Sequence, residues 1–405
     1  MNELIEVFLW PEIKVGNVYF RFNNGKESST FEYSNEWLSD KKNAFALEPA
    51  LELYPTQYHI HNMPLFGSLS DSAPDRWGRT LIIRNERKRA ESLGKNKKTL
   101  TEIDFLLGVN DETRQGALRF KIKSNTEFLS TNKKNSIPPL ISLPGLLNAT
   151  ERMLNSRESS EDLKILLHCG SSLGGARPKA SIYNDNELSI AKFPKNDDEY
   201  NVILWEAHSL HLAKNAGLKV PEWFVERIAG KPVLILKRFD RKGKQRIPFI
   251  STKTMLGAKD QEQHSYIEIA HIIINHGAEP QNDLEELWKR MVFNISISNI
   301  DDHLRNHGFL LNTTKGWELS PAYDMNPVPR HISPDFHTLS IDQSSAEGLI
   351  DTAFSVIDEF RIKKDKANTL FSDVHNAIKD WKNIARFLNI PKEEINMMKS
   401  AFTGH

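Results

Sequence analysis

The sequence predicts an α+β protein, on three observations. Strand signals crowd the N-terminal segment, the middle mixes strands with a helix, and helical periods dominate from Gln261 onward. Segregated strands and helices argue against an alternating α/β order.

Residues 3–10 and 15–22 read as short strands, because VGNVYFRF alternates apolar and polar side chains. FNNGKESSTFEYS then reads as a hairpin turn and a third strand. Residues 75–89 read as a helix preceded by proline. Its basic continuation, Arg84 to Lys98, lacks interleaved aromatic residues and reads as a solvated face. The polar, proline-bearing tract 124–139 reads as a linker, and 170–179 as a glycine-containing turn. Residues 180–183 and 188–193 flank the hairpin signal Asn184-Asp185-Asn186-Glu187. Residues 200–217 repeat Leu204, His208 and Leu212 at helical spacing, and 231–239 form an apolar strand. The longest helical pattern is 284–300. A second hairpin is expected from 308–312 and 317–319, and 353–402 carries no strand signal. Trp288 and Trp381 fall at core positions of helices. Three regions follow: a β-rich 1–145, a nucleotide-lobe-like 146–240 and a helical 241–405.

Composition narrows the class. The chain has 405 residues with 53 Lys+Arg against 53 Asp+Glu. Zero net charge argues against nucleic-acid binding by bulk electrostatics. The single cysteine, Cys169, excludes an intrachain disulfide and a multi-cysteine metal cluster, and fits a reducing cytoplasm. The N-terminus lacks the basic region of a signal peptide, and no run approaches the roughly 20 apolar residues of a membrane span. His59 and His61 share a strand face but lack an adjacent third metal ligand.

The chemistry concentrates in Asn299–Asn306, N-I-D-D-H-L-R-N, followed by Asp324 in SPAYD. Three readings compete: a metal-dependent hydrolase, a self-hydrogen-bonded structural loop and a phosphotransfer loop. In the third, Asp301 accepts a hydroxyl proton, Asn306 five residues on holds Mg²⁺, and Asp324 after a short hairpin bridges metal to phosphate. Upstream segments favour it. Ser171-Ser172-Leu173-Gly174-Gly175-Ala176-Arg177-Pro178-Lys179 offers glycine backbone for phosphates, with Lys179 beside them. Lys192 ends the next strand within reach of phosphates, and Glu206 on the following helix is placed to orient it. Glycine loop, strand lysine, helix glutamate, strand connector, Asp-x-x-x-x-Asn and a final Asp stand in kinase order.

SSLGGARPK, AKFP, LKRFDR, NIDDHLRN and SPAYD, with SAPDRWGR and GALRF nearer the N-terminus, resemble the HipA family of protein kinases. These are toxins of HipA–HipB-type toxin–antitoxin modules, and the resemblance covers nearly the whole chain. It implies a bilobal kinase-like fold, ATP and Mg²⁺ as cofactors, and phosphorylation of a serine or threonine on a protein. It implies a translation-related target such as an aminoacyl-tRNA synthetase, and growth arrest. It also implies a HipB-like helix-turn-helix antitoxin, with operator DNA contacted mainly through that partner. Residue by residue, Asp301 would be the catalytic base and His303 would support its loop. Asn306 and Asp324 would bind Mg²⁺, and Lys192 would contact phosphates. Lys237 to Phe239 would form the hinge beside adenine, and Asp240 would lie near the ribose. Ser172 matches the serine whose autophosphorylation silences the family's enzymes, with Ser171 a competing acceptor; a phosphoserine there would repel ATP phosphates. Arg305 stands where relatives commonly carry lysine, and Lys237 where some carry an acid. Two rivals remain: a small-molecule kinase on the same scaffold, and a non-catalytic corepressor acting with its antitoxin.

Overall fold

A computed structural model describes residues 2–60, 63–123, 125, 127–128, 137–170, 175–311, 316–332, 337–342, 347 and 349–402. The expected linker tract falls mostly outside the described residues, as do His61, Ser171, Ser172 and Gly174. The chain divides into two compact units. The first comprises Met1–Asn196, Ile228–Gly230 and Asp240–Ile250; the second comprises Asp197–Arg227, Lys231–Phe239 and Ser251–His405. Mixed helix and sheet in these units match the α+β expectation.

The first unit is built on a five-stranded antiparallel sheet. Its order is Gln57–His59, Lys26–Tyr33, Ile13–Asn23, Asn2–Leu9, Leu118–Ile122. Asn24 and Gly25 both take positive φ (49° and 77°), the turn that matches strand twist and joins the second and third strands in sequence. Alternation buries Ile5, Val7, Val18, Phe20, Phe31 and Phe120 on one core. Gly16 is required by crowding, since a Cβ there would lie 2.2 Å from the Glu32 carbonyl oxygen. Leu118–Ile122, which starts in the GALRF segment and runs two residues past it, is a strand that sequence periodicity did not reveal.

The helix Arg76–Ser92 starts at Asp75, whose carboxylate accepts the Gly78 N–H at 2.8 Å. Its basic run is largely spent on acidic partners. Arg84 pairs with Glu158 at 3.0 Å, Arg87 with Glu91 at 2.9 Å, Arg89 with Glu86 at 2.7 Å and Lys98 with Asp104 at 2.6 Å. The solvated-face reading therefore stands over a phosphate-binding one. A second hairpin, Lys179–Asn184 with Glu187–Lys192, turns through Asp185 and Asn186 at φ 46° and 64°.

Glu48 makes the stability of this unit pH-dependent. It is buried, accepts the Ser68 N–H at 2.6 Å, and burial pushes its carboxyl up to about 7. A carboxyl raised above its unfolded value of 4.5 contributes stability that is full below 4.5 and lost as pH rises through 7. Urea unfolding is expected to show stability falling by up to about 3 kcal/mol from pH 4 to pH 8 through this group. Glu48→Gln is expected to flatten that dependence.

The second unit packs helices Val202–Asn215, Tyr266–His276, Pro280–Ser296, Lys364–Lys379, Trp381–Phe387 and Lys392–Met398. Trp205, Trp288, Met291 and Phe293 are fully buried, and Trp381 stacks on Phe402 with ring centroids 4.5 Å apart. Trp288 donates Nε1–H to the Ala353 carbonyl at 2.9 Å, so its core assignment holds. The long helix differs from the 284–300 expectation at both ends. Pro280 sets its start as a first-turn proline, and it ends at Ser296. Ser298 at φ 52° turns the chain, and the Asn299 N–H closes on the Asn294 carbonyl at 2.9 Å. A parallel pair of two-residue strands, His264–Ser265 and Leu339–Ser340, is too short to carry a periodicity signal.

Candidate active site

In the second unit, the early end of the Pro280–Ser296 helix places Asn299 to Asn306 in a loop that leads into the strand Gly308–Leu311. That strand pairs with Trp317–Leu319, Phe309 opposite Leu319, and the chain then runs to Asp324. The sequence-predicted residues of this half thus come from one continuous helix–loop–hairpin segment.

Asp301 is exposed, while its neighbour Asp302 is buried. Asp302 Oδ2 accepts three donors: Tyr266 Oη, Asn294 Nδ2 at 3.0 Å and His307 Nε2 at 2.8 Å. Burial alone would raise the Asp302 carboxyl; the His307 side chain and the Tyr266 hydroxyl outweigh it and hold it below the usual range. The same contact and burial push the Tyr266 phenol well above its usual value. Asp302 therefore clamps the loop, and the adjacent Asp301 is exposed on that clamped backbone. The Thr338 N–H to the Ile300 carbonyl (2.9 Å) and the Leu339 N–H to the Asp302 carbonyl (3.1 Å) fasten the other edge.

Asn306 closes the turn, its N–H on the His303 carbonyl at 2.8 Å and its Nδ2 on the Asp301 carbonyl at 3.3 Å. His303, half-buried, keeps Nδ1 without a partner among the described residues. Arg305 forms an exposed pair with Asp260 at 2.5 Å, so the arginine found where relatives carry lysine has a carboxylate of its own. Burial raises the Asp260 carboxyl, but Lys253 and Arg305 overcome this and bring it down to about 2. Asp324 sits at φ 60°, a left-handed backbone rare for non-glycine residues and held only where neighbours enforce it.

Phe239 stacks on Tyr323, ring centroids 5.6 Å apart, and Tyr323 donates its hydroxyl to the Arg305 carbonyl at 2.8 Å. Phe239 thus reaches the loop Asn299–Asn306 through an aromatic contact. Lys237 leaves its strand with its N–H on the Glu222 carbonyl at 2.9 Å and its ammonium 3.2 Å from the Glu222 carboxylate. Glu206 is buried on Val202–Asn215.

In the first unit, Lys192 ends Glu187–Lys192 and is buried. Gly175, exposed at φ 109°, follows the undescribed part of the glycine turn. Two further residues are committed inside the unit. The Lys179 ammonium lies 2.7 Å from Asp75 Oδ2, both side chains 3% exposed, and the Lys179 carbonyl accepts Trp77 Nε1–H at 3.0 Å. This joins SAPDRWGR to the glycine-turn strand. Asp240 Oδ2 accepts the Gly116 N–H and an Arg241 N–H, each at 2.8 Å. Arg241 in turn donates to the Arg114 carbonyl at 2.6 Å. Gly116 at φ 71° has the Phe249 nitrogen 3.1 Å from where a Cβ would stand, so glycine is needed at that turn. Asp240, expected near a ribose, ties Arg241 to Gly116 of GALRF.

Sequence reading assigned no role to Asp302, Asn294, Asn299, Tyr266 or Asn326. Asn294 carried a signal: it is the polar interruption in the apolar helical run MVFNISI. Tyr266 carried none, since a tyrosine on a helix reads as core.

The donors present suit Mg²⁺. Asp324 and Asn306 supply the hard oxygens this cation prefers. Asn326 Oδ1, two residues past Asp324, is buried without a partner among the described residues, an acceptor fit for a metal-bound water. Among the described residues no three His, Cys, Asp or Glu side chains form a group that could hold a metal ion.

The family model HipA-like C-terminal domain matches residues 171–381. A Haemophilus influenzae protein named "Putative kinase" is 25% identical over 201 residues, 43% of this chain and 58% of that protein. The chain thus spans little more than half the length of that curated relative. Among solved structures, the HipA, HipB and operator DNA complex of a Shewanella oneidensis MR-1 toxin–antitoxin system superposes with a TM-score of 0.67 at 16% identity. That match covers 98% of this chain and 95% of the other, and shows a shared fold. A Helicobacter pylori proinflammatory kinase, CtkA, matches at a TM-score of 0.38 and 18% identity over 56% of this chain and 93% of its own. Among the described residues no helix is long and apolar enough to cross a membrane.

Proposed function

The chain belongs to the HipA-like C-terminal domain family, and from that membership we propose that it is a Mg²⁺–ATP-dependent serine/threonine protein kinase. The observation that carries the reading is the loop itself. Asp301 is exposed on a backbone clamped by Asp302, Asn306 closes the same turn, and Asp324 is held in a left-handed conformation after the hairpin.

The Asp301 carboxylate takes the proton of the acceptor hydroxyl as its oxygen bonds to the γ-phosphorus and ADP departs. Asn306 and Asp324 hold Mg²⁺, which when bound neutralises charge on the phosphate oxygens. Lys192 contacts the phosphates and Glu206 orients it. Backbone groups of Lys237 to Phe239 receive the adenine, with Phe239 kept in place by Tyr323. Gly174 and Gly175 present backbone N–H groups to the phosphates. His303 supports the loop. Lys179 and Asp240, proposed beside the phosphates and the ribose, also pair with Asp75 and Arg241.

The proposed acceptor is a protein of the translation machinery such as an aminoacyl-tRNA synthetase, with growth inhibition as the outcome. A HipB-like antitoxin restrains the enzyme and brings it to operator DNA. Arg84, Arg87, Arg89 and Lys98 already pair with acids, which supports DNA contact mainly through that partner. Autophosphorylation of Ser172 silences it. Peptide mapping of purified protein after incubation with Mg²⁺–ATP tests the reading: phosphate is expected at Ser172 and absent in Asp301→Ala. Consumption of ATP with a metabolite, and no phosphoprotein, would redirect the reading to a small-molecule kinase.

A further inference from the structure

We propose that Asn294 and Asn299 are positioning residues, a buried amide chain that sets Asp324 relative to the loop bearing Asp301. This rests on the phosphotransfer reading above and adds to it residues that touch neither nucleotide nor metal.

The chain is continuous within the second unit. Asn294 Nδ2 donates to Asp302 Oδ2 at 3.0 Å and to Tyr266 Oη at 3.1 Å. Asn294 Oδ1 accepts Asn299 Nδ2 at 3.1 Å. Asn299 Oδ1 accepts the Asn326 N–H at 3.4 Å, and Asn326 Nδ2 reaches Asp324 Oδ1 at 3.5 Å. A backbone bond from the Val328 N–H to the Ser298 carbonyl at 3.2 Å runs alongside. One end of the chain is the residue next to the proposed base; the other is the proposed metal ligand.

Three features separate this from ordinary core packing. Asn294 and Asn299 are 2% and 1% exposed, so each amide is costly to bury and is retained where an apolar residue would fill the space. Both amides use oxygen and nitrogen at once, which fixes their orientation. Asp324 occupies a left-handed backbone that its neighbours must enforce, and Asn299 grips the segment two residues beyond it. The links nearest Asp324 are the longest, so Asn299 is the point where the coupling is most easily broken.

The test uses the full chain and Asn299→Ala, Asn294→Leu and Tyr266→Phe. Mn²⁺ binding in the presence of a non-hydrolysable ATP analogue is followed by electron paramagnetic resonance, beside kcat, KM for ATP and thermal unfolding. Asn299→Ala is expected to weaken Mn²⁺ binding and lower kcat, each about 10–100-fold, with KM for ATP unchanged. Added Mn²⁺ is expected to restore part of kcat. Tyr266→Phe, at the other end, is expected to lower kcat without changing Mn²⁺ affinity. Asn294→Leu with Asn299→Ala should be no worse than the worse single variant, because links in series fail together. Asn294→Leu, nearly isosteric, carries the Mn²⁺ measurement if the alanine variant does not fold. Wild-type Mn²⁺ affinity in folded Asn299→Ala or Asn294→Leu, or losses that multiply in the double variant, would overturn the proposal. If the wild-type chain itself neither binds Mn²⁺–nucleotide nor transfers phosphate, the phosphotransfer reading fails with it; if it does both and the variants match it, only this inference falls.

Discussion

Asp301→Ala is expected to lower kcat for phosphoryl transfer about 10²–10⁴-fold while leaving the fold intact. The two halves of that expectation have separate causes. Removing a general base withdraws the group that takes the acceptor's proton in the transition state, and water replaces it poorly. Stability is expected to be spared because Asp301 is exposed, whereas the buried carboxylate of the loop is that of Asp302. KM for ATP should change little, since Asp301 acts on the hydroxyl rather than on the nucleotide. Steady-state kinetics with a thermal melt on the same preparation reads all three. A melting temperature lowered in step with activity would assign Asp301 a structural role.

Asp302→Ala is expected to do the reverse and damage the fold first. The substitution removes the acceptor of the Tyr266 hydroxyl and of His307 Nε2, and one of the two acceptors of the Asn294 amide, in a buried site. Breaking a buried, multiply bonded charge of this kind costs about 3–5 kcal/mol. Asp302→Asn keeps one oxygen acceptor and is expected to recover part of that loss. Urea unfolding followed by tryptophan fluorescence measures it, since Trp205, Trp288 and Trp381 all lie in the core of this unit. A loss under about 1 kcal/mol for Asp302→Ala would mean that the three contacts contribute little net stability.

The adjacent aspartates show what was legible in the sequence. Asp-x-x-x-x-Asn spacing reports chemistry, so Asp301 and Asn306 could be named from residues alone. Asp302 is chemically identical on paper; only burial and three converging donors distinguish it. Strands with period-two burial and hairpins closed by positive-φ Asn, Asp or Gly were read correctly, because both are local signals. The end of the long helix was not. Ser296 and Ile297 still fit the helical stripe, and the break comes from Ser298 turning left-handed so that Asn299 caps Asn294. The contacts of Lys179 and Asp240 were not legible either. Their partners, Asp75 and Gly116, lie more than a hundred residues away in sequence, beyond any spacing argument. GALRF and SAPDRWGR were visible as motifs, but their work of tying the first unit together required the contacts.

The account's central claim is that the loop Asn299–Asn306 catalyses phosphoryl transfer to a protein hydroxyl. Its most direct test is to incubate purified wild type and Asp301→Ala with γ-labelled ATP and Mg²⁺ and follow label into protein. The account predicts label on serine or threonine of the wild-type chain or of an added bacterial protein extract, lost on chelating Mg²⁺ and about 10²–10⁴-fold slower in Asp301→Ala. Equal labelling by the two proteins, or none by the wild type, would contradict it.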